Sequence, residues 1–163
     1  MGETDLAALV ARLEQEEGGR SLPRFTNDDA WWLGTWVRER ARERGLSVVV
    51  DVRRGEHQLF HAALDGTSAD NDAWVERKVR TVRRLGQSSY LVGRRLALKG
   101  QTLLDIGLDP LLFVAAGGCV PVVVDGVGPV GTLAVSGLPQ ADDHALATEA
   151  LAALREHQGA GAA

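Results

Sequence analysis

Lys78 raises the first chemical question, because it falls where a lysine is costly. Plotted at about 100° per residue, the segment Asp70–Leu85 gathers Trp74, Val75, Val79, Val82 and Leu85 on one apolar face. Asn71 and Lys78 fall near the middle of that face, while Arg77, Arg80, Arg83 and Arg84 fall on the other side. A lysine in an apolar stripe either snorkels outward on its stem or meets a negative partner. Two outcomes stay open. In one, Lys78 reaches the edge of a sheet and pairs with an acid such as Asp51. In the other, Lys78 and Asn71 line a pocket for an anionic ligand such as a small carboxylate, since buried ionisable groups in clefts are enriched at sites.

Histidines come next. His57, Leu59 and His61 share one face if their segment is a strand. The two imidazoles would then stand about 13 Å apart, too far to share one ion. His61 is either a hydrogen-bonded sheet histidine or an iron or metal ligand completed from elsewhere. Ser136, Asp142, Asp143 and His144 supply the residue types of a hydrolase triad, but the last three are consecutive, so their side chains diverge, and no G-x-S-x-G elbow is present. These residues read as a strand-to-helix junction whose acids suit a helix dipole. Gly126, Gly128 and Gly131 spell G-x-G-x-x-G, the string that binds a dinucleotide pyrophosphate when it follows a strand and opens a helix. Here β-rich runs flank it on both sides, so the glycines read as a hairpin turn. Glu14 and Glu17 form an E-x-x-E pair on a solvated helix face, Arg53 and Arg54 read as solvated turn residues, and Cys119 reads as a small buried hydrophobe.

The whole composition narrows the function classes. A chain of 163 residues suits one domain with a real core. The net charge of −4 argues against a nucleic-acid clamp. One cysteine excludes an internal disulfide and any multi-cysteine zinc site. No basic, apolar leader and no apolar run of about 18–20 residues is present, so a cytoplasmic protein without a membrane partner is expected.

The elements that must position these residues follow from periodicity and caps. Residues 4–17 predict a charged helix within an N-terminal segment 1–19, ended by Gly18 and Gly19. Leu22 to Phe25 predicts a short edge strand. Thr26-Asn27-Asp28-Asp29 caps a helix to about Arg44, on which Trp31, Trp32 and Trp36 crowd. All three cannot face one core, so one or more is expected to pack against a neighbouring subunit. Strands are predicted at Leu46–Asp51, His57–Leu64, Cys119–Val124 and Val130–Val135, with Arg53–Glu56 as a hairpin turn. Helices are predicted at Asp70–Leu85, from Ser88 or Ser89 to Lys99, in a short turn at Asp109-Pro110, and at Pro139–Glu156. Residues 20–158 read as one domain, and 159–163 as a frayed tail.

Two long strings carry a family resemblance. VVVDVRRGEHQLFHAALDGTSADNDAWVERK is followed by GGCVPVVVDGVGPVGTLAVSGLPQADDHALATEAL. Together they resemble the haem-degrading-domain superfamily that contains the GlcG and HbpS proteins. FTNDDAWWLG, LFHAALDGTSADNDAWVERK and SSYLVG are more similar still to its UPF0303 branch. The resemblance spans roughly residues 20–157. It implies an α/β (α+β) profilin-like fold, an antiparallel sheet of about five strands flanked by helices. It also implies homo-oligomers, and a haem or iron ligand in some relatives.

Two functions are weighed on that basis. The first is an oligomeric binder of a small anionic ligand, haem through a propionate included, with a pocket near Lys78, Asn71 and His61 completed by Tyr90 or Arg94. The second is a non-enzymatic oligomeric interaction protein, with the tryptophans at subunit contacts and Lys78 paired internally. A hydrolase or a dehydrogenase has no intact motif behind it.

Overall fold

The computed structural model describes residues 2–161. The β-branched runs form the centre of the molecule. β1 (Val49–Arg54) and β2 (His57–Ala63) make one hairpin, and β3 (Cys119–Val124) and β4 (Gly128–Ser136) make another. β1 pairs with β4, so the sheet is antiparallel throughout, in the order β2-β1-β4-β3. Among the described residues there are four strands where about five were expected. The expected strand at Leu22 is an isolated parallel bridge to Val124, which the flanking Pro23 keeps from lengthening. Gly126 and Gly128 both carry positive φ in the β3–β4 turn, so the dinucleotide-like string is a hairpin.

Helices cover both faces because alternation along β1 splits its side chains. Val48, Val50 and Val52 face α2 (Asn27–Glu43) and α5 (Gln140–Ala160), in a core that includes Leu33, Val37, Leu133, Leu151 and Leu154. Val49 faces the other way, with Ala134 and Cys119, against Val75, Val79 and Val82 of α3 (Ala69–Leu85). α4 (Ser89–Leu98) carries Tyr90 and Leu91, which bury Val10 and Leu13 of α1 (Glu3–Gly18).

Several expectations change in detail. β1 runs on through Arg53 and Arg54, and neither is a free turn residue. Arg53 is largely buried, with Nε 2.7 Å from Asp51 and its guanidinium also on Glu76, while Arg54 caps the Phe25 carbonyl and Asn27. Glu14 pairs with Arg95, and Glu17 accepts from the Ser88 amide and hydroxyl, so these acids tie α1 to α4. Helix α5 continues to Ala160, taking in the first two residues of the expected tail, and 162–163 lie outside the described residues. Asp109 caps a single turn, accepting from the Leu111 amide. The tryptophans separate as crowding requires. Trp32 stacks on His157, Trp36 lies beside Arg40, and Trp31 stays 65% exposed. No helix among the described residues is long and apolar enough to cross a membrane.

Candidate functional site

The first half of α3 lies over the end of β4, and Lys78 is where they meet. The residue is 3% exposed, and its ammonium donates to the Val135 carbonyl and to Asp143 Oδ2, each at 3.0 Å. The acid that meets Lys78 is therefore Asp143, not Asp51, whose carboxylate is taken by Arg53 and Gln58. Sequence position hid this pair, because 65 residues separate its members. Asp143 is 2% exposed and lies in the first turn of α5, where its Oδ1 accepts from the Leu138 amide. Burial raises the Asp143 carboxyl above its ordinary range, and the Lys78 charge opposes that rise.

An open cleft of about 380 Å³ lies above this pair. Asp70, Asn71 and Trp74 of α3 form one wall, and Ser136–Leu138 with Gln140 form the other. Gly117 lies at the end of the floor. Its neighbour Gly118 must be glycine, since its φ is +127° and a Cβ there would lie 2.6 Å from Lys78 Nζ. The two strings that carried the family resemblance thus converge on one ammonium group.

The hydrogen bonds of the walls determine what the cleft presents. The Ser68 amide donates to Asn71 Oδ1 at 2.9 Å, and the Gly117 amide donates to Gln140 Oε1 at 3.2 Å. A backbone amide only donates, so both side-chain oxygens are turned inward and each side chain keeps its NH₂ as a donor. An ammonium has three donors, and protein acceptors hold two of those on Lys78. Asn71 is in the first turn of α3 and Gln140 opens α5, so two positive helix ends border the same space. Asp70 is the exposed carboxylate at the rim.

Lys78 and Asn71 line the same cleft, and three other candidates lie elsewhere. His61 Nε2 bonds Asp72 Oδ1 at 2.7 Å, and the residue does not line the cleft but borders a separate groove with Trp31 and Arg38. Tyr90 packs behind Gly117, its ring 4.9 Å from that of His144. Arg94 lies over the Tyr90 ring. Gln140 and Asp143 were missed as site residues. Their signal was their place in the string SGLPQADD, which reads locally as a helix start. Cys119 is fully buried, and burial pushes its thiol up, away from the reactive thiolate.

A family model described as haem degrading protein HbpS-like matches residues 25–152. A UPF0303 protein of Streptomyces avermitilis is 52% identical over 152 residues, which is 93% of either chain. The chain belongs to the HbpS-like family, in its UPF0303 branch. Among solved structures, that of the Ybr137w protein superposes with a TM-score of 0.86, at 30% identity over 94% of both chains. The HbpS crystal structure superposes with a TM-score of 0.63, at 27% identity over 80% of this chain and 89% of that one.

The family description raises haem, and the cleft can be tested for it. Haem iron takes histidine, cysteine, methionine or tyrosine. None of these lines the cleft among the described residues, and Lys78 is already held by Asp143. The His144 ring is turned away into the core beside Tyr90. No group of three or more His, Cys, Asp or Glu that could hold a metal ion occurs among the described residues. The cleft does not fit an iron-ligated haem. Its donors fit an acid group.

Proposed function

We propose that this protein binds a small carboxylate-bearing molecule in the cleft between α3 and α5. One observation carries the reading. The amide oxygens of Asn71 and Gln140 are both consumed by the protein's own backbone, so their NH₂ groups and the third N–H of Lys78 are left as donors around one space. Three donors suit an oxyanion, and two helix N-termini add to them. The buried Lys78–Asp143 pair is neutral as a unit, so binding rests on oriented donors more than on net charge. Glycine backbone along the floor lets a ligand approach closely. Trp74 supplies an apolar wall for the rest of the molecule. A volume of about 380 Å³ suits a small metabolite.

The test exchanges donors for acceptors without disturbing the fold. Asn71→Asp keeps an oxygen for the Ser68 amide, and Gln140→Glu keeps one for the Gly117 amide, while each removes an NH₂. Lactate, succinate and haemin are titrated by calorimetry into wild type and both variants. The expected result is saturable binding of a carboxylate that weakens at least about tenfold in each variant, with unchanged melting temperature, since a hydrogen bond to a charged group contributes about 1.5–3 kcal/mol. Haemin is expected to compete only through its propionates, with no absorption change of the kind that a histidine ligand produces. Carboxylate binding indifferent to both variants, or absent for all three probes, would remove the reading.

A further inference from the structure

The other end of α3 holds a second concavity. Val82, Arg83 and the cap residue Gly86 stand there over the hairpin ends of the sheet. Gly55 of the β1–β2 turn, Pro121 of β3 and Pro129–Thr132 of β4 complete a cleft of about 360 Å³. That volume is within the range of small-ligand pockets. Val82, Pro121 and Pro129 make its walls mostly apolar.

Two polar groups interrupt those walls. Thr132 is 2% exposed, and its hydroxyl has no hydrogen-bond partner among the described residues. A buried hydroxyl left unbonded costs free energy that a ligand atom would recover. Among the described residues, Arg83 is the charged residue of the lining. Its guanidinium has five N–H donors, and among the described residues its side chain donates from Nη2 to Glu56 Oε1 at 2.9 Å. The Glu56 side chain is 85% exposed, and such a surface pair is weak. A carboxylate thus already occupies this guanidinium, on a side chain that water can easily claim. The negative end of α3 at Gly86 opposes an anion, and Arg83 and Arg84 in the last turn offset it.

We infer that this second cleft binds a small apolar carboxylate bearing a hydrogen-bonding group at its far end. The acid takes Arg83 in place of Glu56, the body lies against Val82 and the two prolines, and the far group meets the Thr132 hydroxyl. This site is separate from the Lys78 cleft and does not rest on the function proposed for it.

The probes are benzoate and 4-hydroxybenzoate, titrated into the ¹⁵N-labelled full chain while amide shifts are followed. Saturable shifts centred on Gly55, Gly86 and Val130–Thr132 are expected. Affinity should fall at least about tenfold in Arg83→Gln and rise in Glu56→Gln, where the competing acid is gone. Thr132→Val should weaken 4-hydroxybenzoate by about three- to tenfold and leave benzoate unchanged. Shifts centred instead on Asn71, Gly117 and Gln140, no saturation at millimolar probe, equal affinity in Arg83→Gln, or equal effects of Thr132→Val on both probes would each overturn the assignment.

Discussion

At the scale of single residues, Lys78 and Asp143 form a pair that is worth more intact than halved. Both are nearly inaccessible, and each satisfies the other together with one backbone group. Removing one partner of such a pair typically costs about 3–5 kcal/mol, because the remaining charge stays buried and uncompensated. Lys78→Met should therefore lower stability by that order at neutral pH, as read by urea denaturation. It should recover part of the loss at acid pH, where the stranded Asp143 takes up a proton. Lys78→Met combined with Asp143→Leu should be milder than Lys78→Met alone. A double variant as unstable as the sum of the singles would show that the two groups are not coupled. The lysine's position in an apolar stripe was legible in the sequence. Its partner was not, because the choice between Asp51 and Asp143 depends on where α5 begins relative to the sheet.

At the scale of elements, Gly34 shows how packing overrides propensity. A glycine inside a helix ordinarily costs about 1 kcal/mol relative to alanine. In α2, however, a Cβ at position 34 would lie 2.2 Å from the Phe60 ring of β2, well inside contact distance. Gly34→Ala should thus destabilise by about 1–3 kcal/mol rather than stabilise. The check is the denaturation midpoint of Gly34→Ala beside an exposed control, Gly18→Ala, whose Cβ would meet nothing within 4 Å. A gain in stability at Gly34 would mean that the ring moves aside freely. The helices and most strands were readable from caps and alternation. Thr26 does accept from the Asp29 amide as the capping cluster implied. The strand at Leu22 was overestimated, since a short apolar run beside proline resembles a strand until its neighbours in the sheet are known. The acids of α1 were read as free surface, because their partners, Arg95 of α4 and its N-cap Ser88, are distant in the chain.

At the scale of the whole molecule, one buried imidazole ties global stability to pH. His144 of α5 lies in the core, and both its ring nitrogens are unpartnered among the described residues. Burial, and then the Arg20 charge, push it down from 6.5 to about 4. The folded pKa is below the unfolded one, so the unfolded chain binds more protons between these values. The contribution is fully present above about pH 6.5 and is lost as pH falls through 4, about 3 kcal/mol in all. Asp143, whose carboxyl is raised by burial, acts in the opposite sense, so the comparison must isolate the imidazole. Urea denaturation of wild type and His144→Leu between pH 7 and pH 4 does so. Wild type should lose stability more steeply, and parallel profiles would contradict the assignment.

The sequence by itself determined the periodic elements, the hairpin nature of the glycine-rich string and the family. Each of these depends on residues near one another in the chain, or on ordered strings that survive without coordinates. It also marked Lys78 and Asn71, because a polar residue on an apolar helix face is visible in one dimension. Only the tertiary structure decided that Gln140 and Asp143 complete their cleft while His61, Tyr90 and Arg94 do not. Those contacts depend on which flank of α3 each element meets, and on amide oxygens already spent on the backbones of Ser68 and Gly117. Side-chain chemistry can be read from a sequence, but the hydrogen-bonding capacity left over for a ligand depends on packing across distant segments.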